Sequence, residues 1–307
     1  MNAAKQNRAL GVLFALMTVL VWGTTFISSK KLLDAYTPLQ IMLTRFLLAY
    51  AALWLIRPRR MKLRAKEEGI FFLLGLAGCS IYFYVENTAL RYTLTSNVSI
   101  IVASAPLFTA LLAHFVTEEK FRSSTLWGFL VAFSGVILVV CNGTFVLRLS
   151  PIGDLLALAA AACWAVYSVL IKRFAGTYDS VLITRRTVFW GIVTAVPMVL
   201  LEGKPYPLAP LTESPAAPLN FLYLGLIGSA VCYVLWNEAF ARLGIVRTNN
   251  FIYAIPFVTI VAAHFLLHES ISSAAFFGAV LITAGVIWAQ RPPKARTTKE
   301  PESVSNI

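Results

Sequence analysis

Glu86 and Glu238 stand inside long apolar runs, each beside an asparagine, in the words ENTAL and NEAF. A carboxylate within an apolar segment is costly and usually has a task, and carrying a proton is the task these two fit. Facing headgroup water is the simpler alternative: Glu86 lies about 24 Å into its span by the helical rise, and Glu238 is close to a span end. Arg45, Arg185 and Arg186 also lie within apolar runs. Such arginines snorkel to the interface; alternatively they pair with Glu86 or Glu238 as a gate, or hold a substrate carboxylate in a two-pronged contact.

Aromatic residues offer a third chemistry. Trp22 and Trp164 sit well inside their runs, whereas interfacial anchors belong near span ends. With Phe26, Tyr82, Tyr167, Tyr233 and Tyr253 they would form an amphipathic lining that stacks on an organic solute and offers hydroxyls; ordinary packing between helices is the alternative. Asn87 and Asn237 complete the candidate substrate-binding set. No metal is expected, because His114 and His264 fall near opposite faces, and His264 with His268 lacks a further ligand of suitable spacing. No cofactor is expected either, and without a GxxxxGK[ST] loop ATP cannot drive the protein directly. An intramembrane enzyme would need a nucleophile with its base or a metal cluster, which these residues do not supply. A receptor would need a soluble signalling module, for which the tails are too short. Cys79, Cys141, Cys163 and Cys232 lie in or at the ends of apolar segments and form neither a CxxC motif nor a disulfide framework.

The elements that must position these groups are membrane helices. The chain has 307 residues, 58% hydrophobic and only 13% charged, with a mean hydropathy of +0.74; soluble proteins are about a quarter charged. Apolar runs of about twenty residues recur, each enough to cross a hydrocarbon core of roughly 30 Å. They predict ten helices, at about 9–29, 38–56, 70–90, 94–116, 124–142, 151–171, 180–200, 219–241, 246–267 and 272–290. Lys and Arg total 26 against 14 acids, for a formal net charge of +12. Eighteen of the 26 fall on one side when loops are counted alternately: near the amino terminus, over Arg57–Lys66, at Lys120 and Arg122, Lys172 and Arg173, Arg242 and Arg247, and from Arg291 onward. That charge is read as topology rather than as a nucleic-acid patch, and it places both termini in the cytoplasm. The first run is too long for a signal peptide and lacks a cleavage site, so it is expected to stay as a span. Gly203 to Pro218 reads as a Pro-rich outer loop and 291–307 as a disordered cytoplasmic tail.

The chain also repeats itself. Trp22 to Lys30 matches Trp164 to Lys172, and Asn87, Pro106, His114, Glu119, Gly128 and Gly135 fall on Asn237, Pro256, His264, Glu269, Gly278 and Gly285. The expected units are 1–146 and 147–290, five helices each. An odd number of spans makes the second copy enter the membrane from the opposite side, the inverted repeat of many secondary transporters. Pro106 and Pro256, mid-span and paired, should interrupt helical hydrogen bonding as hinges or site-lining kinks. The glycines at seven-residue intervals let the last helix of each half pack closely, within the fold or in a homodimer.

The words carrying the repeat resemble the EamA transporters of the drug/metabolite transporter superfamily. They are the WG at Trp22, ALRYT at Ala89–Thr93, the block from Pro106 to Glu119, GFLVAFSGVILVV from Gly128, and, in the second half, Pro256 to Glu269 and GAVLITAGVI from Gly278. The likeness spans about residues 10 to 141 and 151 to 290, although His114, His264, Asn97 and Arg247 depart from the family pattern. It implies a multi-pass carrier of a bacterial-type cytoplasmic membrane, often an exporter of amino acids or other small metabolites, with its site between the halves. The expectation is a secondary transporter that moves a small amphipathic metabolite outward by alternating access, with a proton as candidate counter-ion. A passive facilitator or a nucleotide-sugar-like exchanger is the alternative.

Overall fold

The computed structural model describes residues 3–117, 123–140, 150–270 and 272–289. Cys141, Glu119, Lys120, Arg122, Arg148 and the tail from Arg291 lie outside the described residues, as does the side chain of His114. Lipid offers the backbone no hydrogen-bonding partners, so apolar runs of this length must satisfy their own peptide groups, and they do so as helices. The helices are α1 (Ala3–Leu32), α2 (Pro38–Ile56), α3 (Ala65–Tyr92), α4 (Thr95–Val102), α5 (Ala105–Thr117), α6 (Ser123–Val140), α7 (Pro151–Ile171), α8 (Ser180–Glu202), α9 (Ala216–Leu243), α10 (Arg247–Leu267) and α11 (Ser273–Ala289). No strand occurs among the described residues. Among the described residues eight helices are long and apolar enough to cross a membrane, the pair α4 and α5 contributing one of them together, while α6 and α11 are shorter. The chain is a polytopic helical membrane protein. Its outer surface agrees, since side chains such as Leu55 (85% exposed) and Leu201 (88% exposed) project outward where only lipid would welcome them.

Local chemistry sets the helix ends. Thr37 opens α2 with a reciprocal capping box: Gln40 N donates to Thr37 Oγ1 at 3.2 Å and Thr37 N donates to Gln40 Oε1 at 3.0 Å. Pro38 occupies the first turn, where its missing N–H costs nothing. Asp179 opens α8 by accepting from Val181 N and Leu182 N. Helix α3 starts at Ala65 rather than near 70, because Glu67 accepts from Arg64 N at 2.9 Å and draws the polar turn into the helix. The Pro-rich loop contains a short helical turn, Ala209–Glu213.

Three departures from regular α geometry shape the interior. Leu76–Ile81 in α3 and Tyr223–Val231 in α9 widen into π turns, a geometry that shifts backbone pairing and is frequent at functional sites. The third is a break at Ala103–Ser104 that separates α4 from α5. Pro106 therefore sits in the first turn of a new helix rather than kinking a continuous one. Pro256 likewise follows a 3-10 stretch, Asn250–Ala254.

Packing follows from these elements. Helix α1 packs on α9 and α10, α7 on α3, α4 and α5, α2 on α8, and α6 on α11. The α6–α11 contact uses the expected glycine faces within one chain. A Cβ on Gly135 would stand 2.8 Å from Gly278 O, and one on Gly285 would stand 2.4 Å from Ala132 N, so the backbones meet where only glycine fits.

Candidate functional site

A narrow cavity of about 30 Å³ lies among α1, α2, α3, α4, α5, α7, α9 and α10. Its walls are aromatic. Trp22 and Trp164 meet edge to face at 5.2 Å, Trp22 lies 5.7 Å from Tyr233, and Tyr82 lies 5.6 Å from Trp164. Phe26, Phe83, Val102, Ala105, Ile252 and Ile255 complete the apolar lining, and Thr25 adds a hydroxyl. Val102 and Ile252 each lie four residues before one of the paired prolines, so the helix breaks come at the cavity wall.

Two hydrogen bonds tie the aromatic wall to the π turns. Trp22 Nε1 donates to Gly228 O at 3.0 Å, and Tyr233 Oη donates to Gly78 O at 2.7 Å. The π register leaves carbonyls for side chains to satisfy, and two cavity aromatics take that part with their polar ends while their rings face the solute space. Gly78 also accommodates Tyr167, whose ring would stand 2.3 Å from a Cβ placed there.

An arginine and a glutamate enter the same cavity. Arg45 from α2 is 1% exposed and Glu86 from α3 is 6% exposed, and both line it. Arg45 Nε donates to Ser229 Oγ at 2.9 Å, and its guanidinium carbon lies 4.1 Å from the centre of the Phe83 ring. Arg45 thus faces the interior and does not snorkel. Among the described residues neither Arg45 nor Glu86 makes an ion pair. An arginine and a glutamate, neither held in an ion pair among the described residues, thus stand in one cavity walled by aromatic rings.

The other expected site residues lie elsewhere. Tyr167 is buried behind Trp164 and donates to Asn237 Oδ1 at 3.4 Å, and Asn237 Nδ2 donates to Thr184 Oγ1 at 2.9 Å. Asn87 Nδ2 donates to Pro38 O at 3.5 Å. Both asparagines therefore brace helices, α3 to α2 and α9 to α7 and α8. Tyr253 is buried beside the cavity-lining Ile252 without lining it, and its hydroxyl has no hydrogen-bond partner among the described residues. Glu238 pairs with Arg242 one turn on, at the partly exposed end of α9. Arg185 donates to the carbonyls of Arg57 and Arg59, and Arg186 pairs with Glu68, so neither arginine meets Glu86 or Glu238. Trp236, 4.9 Å from Trp22, and Asn249, whose Oδ1 accepts from Trp164 Nε1 at 3.5 Å, support the wall. Neither stood out in the sequence, although Asn249 is a polar residue within a span and carried that signal.

Membrane-spanning helices around an aromatic cavity that holds an arginine and a glutamate define a class, the polytopic membrane transporters. The EamA-like transporter family model matches residues 9–141 and 151–290, and the chain belongs to that family. A protein of Archaeoglobus fulgidus described as an uncharacterized transporter is 29% identical over 275 residues, covering 88% of this chain and 93% of its own. A probable terminal-alkyne amino-acid exporter of Streptantibioticus cattleyicolor is 28% identical, covering 90% and 91%. A probable amino-acid metabolite efflux pump of Escherichia coli is 25% identical, covering 91% and 94%. A crystal structure superposes with a TM-score of 0.64 at 21% identity, over 92% of this chain and 98% of the other, which supports the fold.

Proposed function

We propose that the protein exports a small zwitterionic metabolite of the amino-acid class across the cytoplasmic membrane, as a secondary transporter working by alternating access. The observation that carries this reading is the placement of Arg45 and Glu86 in one aromatic cavity. Arg45 receives the substrate carboxylate through its free guanidinium nitrogens, Glu86 receives the ammonium, and Trp22, Tyr82, Trp164 and Tyr233 stack on the body. The names of the Streptantibioticus and Escherichia relatives favour the same substrate class.

The reading includes two inverted halves, 1–146 and 147–290, of five spans each, with α6 and α11 as the fifth and tenth. Reciprocal packing supports it. Helix α1 lies on α9 as α7 lies on α3, the π turns recur at Gly78 and Gly228, and α2 faces α8 as α6 faces α11. Exchange of conformation between the halves, with give at the breaks before Pro106 and Pro256, opens the cavity alternately. Glu86 is the carboxylate that lines the cavity, and a proton replaces the substrate on it during return. Glu238, paired with Arg242, takes no part in this scheme.

The test is flux in proteoliposomes with labelled amino acids, amines, carboxylic acids, nucleosides and sugars, with and without an imposed pH gradient. Uphill movement of zwitterions that collapses with the gradient is expected. Equilibration indifferent to the gradient would leave a passive facilitator, and preference for a sugar nucleotide would remove the zwitterion reading.

A further inference from the structure

A second cavity, of about 380 Å³, lies between the end of α2, the start of α8 and the segment that follows α2. No residue lines both cavities. Its wall combines Arg60, Arg185 and Arg186 with Tyr50, Trp54 and Phe189. We propose that this pocket binds the phosphate group of an anionic lipid.

The three guanidinium groups have little to neutralise them. Among the described residues, Arg60 and Arg185 have no ion-pair partner, and Arg186 has Glu68 alone. The nearby Asp179 pairs instead with Arg57, at 3.4 Å. Arg185 is held in place by the carbonyls of Arg57 and Arg59 and by the Trp54 ring, 4.0 Å from its guanidinium carbon. Those contacts fix its orientation and leave its charge intact. Arg186 lies over Phe189 at 4.5 Å, and its buried Nε has no hydrogen-bond partner among the described residues. Clustered guanidinium forks with free donors match the oxygens of a phosphate.

A free phosphate ion offers the same chemistry, and the surroundings favour the lipid. The pocket sits where α2 ends, next to Leu55 and Ile56, both apolar and exposed as lipid-facing residues are. Tryptophan and tyrosine at the end of a span mark headgroup depth, where basic residues attract anionic lipids. A headgroup phosphate entering here would have its acyl chains lie along α2.

Native mass spectrometry of the detergent-purified full chain, titrated separately with phosphatidylglycerol, phosphatidylcholine and inorganic phosphate, tests the proposal. Phosphatidylglycerol is expected to bind in preference to phosphatidylcholine. Arg60→Gln and Arg186→Gln are each expected to weaken it by about tenfold, the scale of one charge-assisted hydrogen bond. Lys62→Gln, a basic neighbour outside the pocket wall, is expected to leave binding unchanged. Arg60 is exposed and its substitution spares the fold, so an unfolded Arg186→Gln would not spoil the test. Equal binding of the two lipids, or equal losses from Arg60→Gln and Lys62→Gln, would overturn the proposal. Inorganic phosphate bound with no preference between the lipids would overturn the lipid assignment.

Discussion

A buried arginine costs roughly several kcal/mol in desolvation unless its donors and charge are met. Arg45 meets part of that cost with Ser229 and the Phe83 ring and leaves the rest of its fork in the cavity. If substrate completes the set, Arg45→Lys should fold normally but lose most transport, because an ammonium does not match a carboxylate in two places. Glu86→Gln should weaken exchange of zwitterions, because the ammonium loses its counter-charge, and abolish the acceleration by a pH gradient. Both are read by flux in proteoliposomes; full, gradient-dependent transport in Arg45→Lys would reduce the arginine to a tie between α2 and α9. At this scale part of the site was legible. Trp22, Phe26, Tyr82, Trp164, Arg45 and Glu86 converge on one cavity, because mid-span charge and mid-span tryptophan are both expensive away from a polar or aromatic environment. Asn87 and Asn237 were not separable from them in sequence. A mid-span amide can line a cavity or brace two helices with the same residue type, and only the neighbours Pro38 and Thr184 decide. The same holds for Glu238, whose partner Arg242 one turn away takes it out of the cavity.

Among the elements, the spans were readable because the apolar pattern and the caps both point to helix, while the π turns and the breaks were not. A π turn changes backbone register by one residue and leaves the apolar pattern as it was, so Leu76–Ile81 and Tyr223–Val231 look like ordinary helix in sequence. Proline announced an interruption but not its place: the chain breaks ahead of Pro106 and restarts with the proline in a first turn, where no N–H is missed. The glycine faces of α6 and α11 were legible, and their closeness gives a measurable consequence. Gly285→Ala must push a methyl into the Ala132 backbone, so it should cost about 1–3 kcal/mol as overpacking does. Gly69→Ala, on α3 with nothing within 4 Å, should instead stabilise by about 0.4–1 kcal/mol. Thermal unfolding of the purified protein separates the two; equal and small effects would mean that α6 and α11 slide apart freely.

For the whole molecule the decisive question is whether the halves run in opposite senses through the membrane. The repeat places the segment between α2 and α3 in correspondence with that between α8 and α9, and Lys62 and Lys204 are exposed residues in these two segments. Parallel halves would put corresponding segments on one side; inverted halves put them on opposite sides. The charge pattern sharpens the expectation, since the first segment carries Arg57, Arg59, Arg60, Lys62, Arg64 and Lys66 and belongs in the cytoplasm, whereas the second carries Lys204 alone. Single cysteines at the two positions, in a chain cleared of its own cysteines, can be treated on intact cells with a membrane-impermeant maleimide. Lys204→Cys should be labelled at once, and Lys62→Cys only after the cells are permeabilised. Labelling of both from outside would remove the inversion and with it the basis for the proposed alternating access. Labelling of Lys62→Cys alone would keep the inversion and reverse the orientation. The arginine pocket at the end of α2 would then belong to the outer leaflet, where phosphatidylglycerol binding would have to be sought instead.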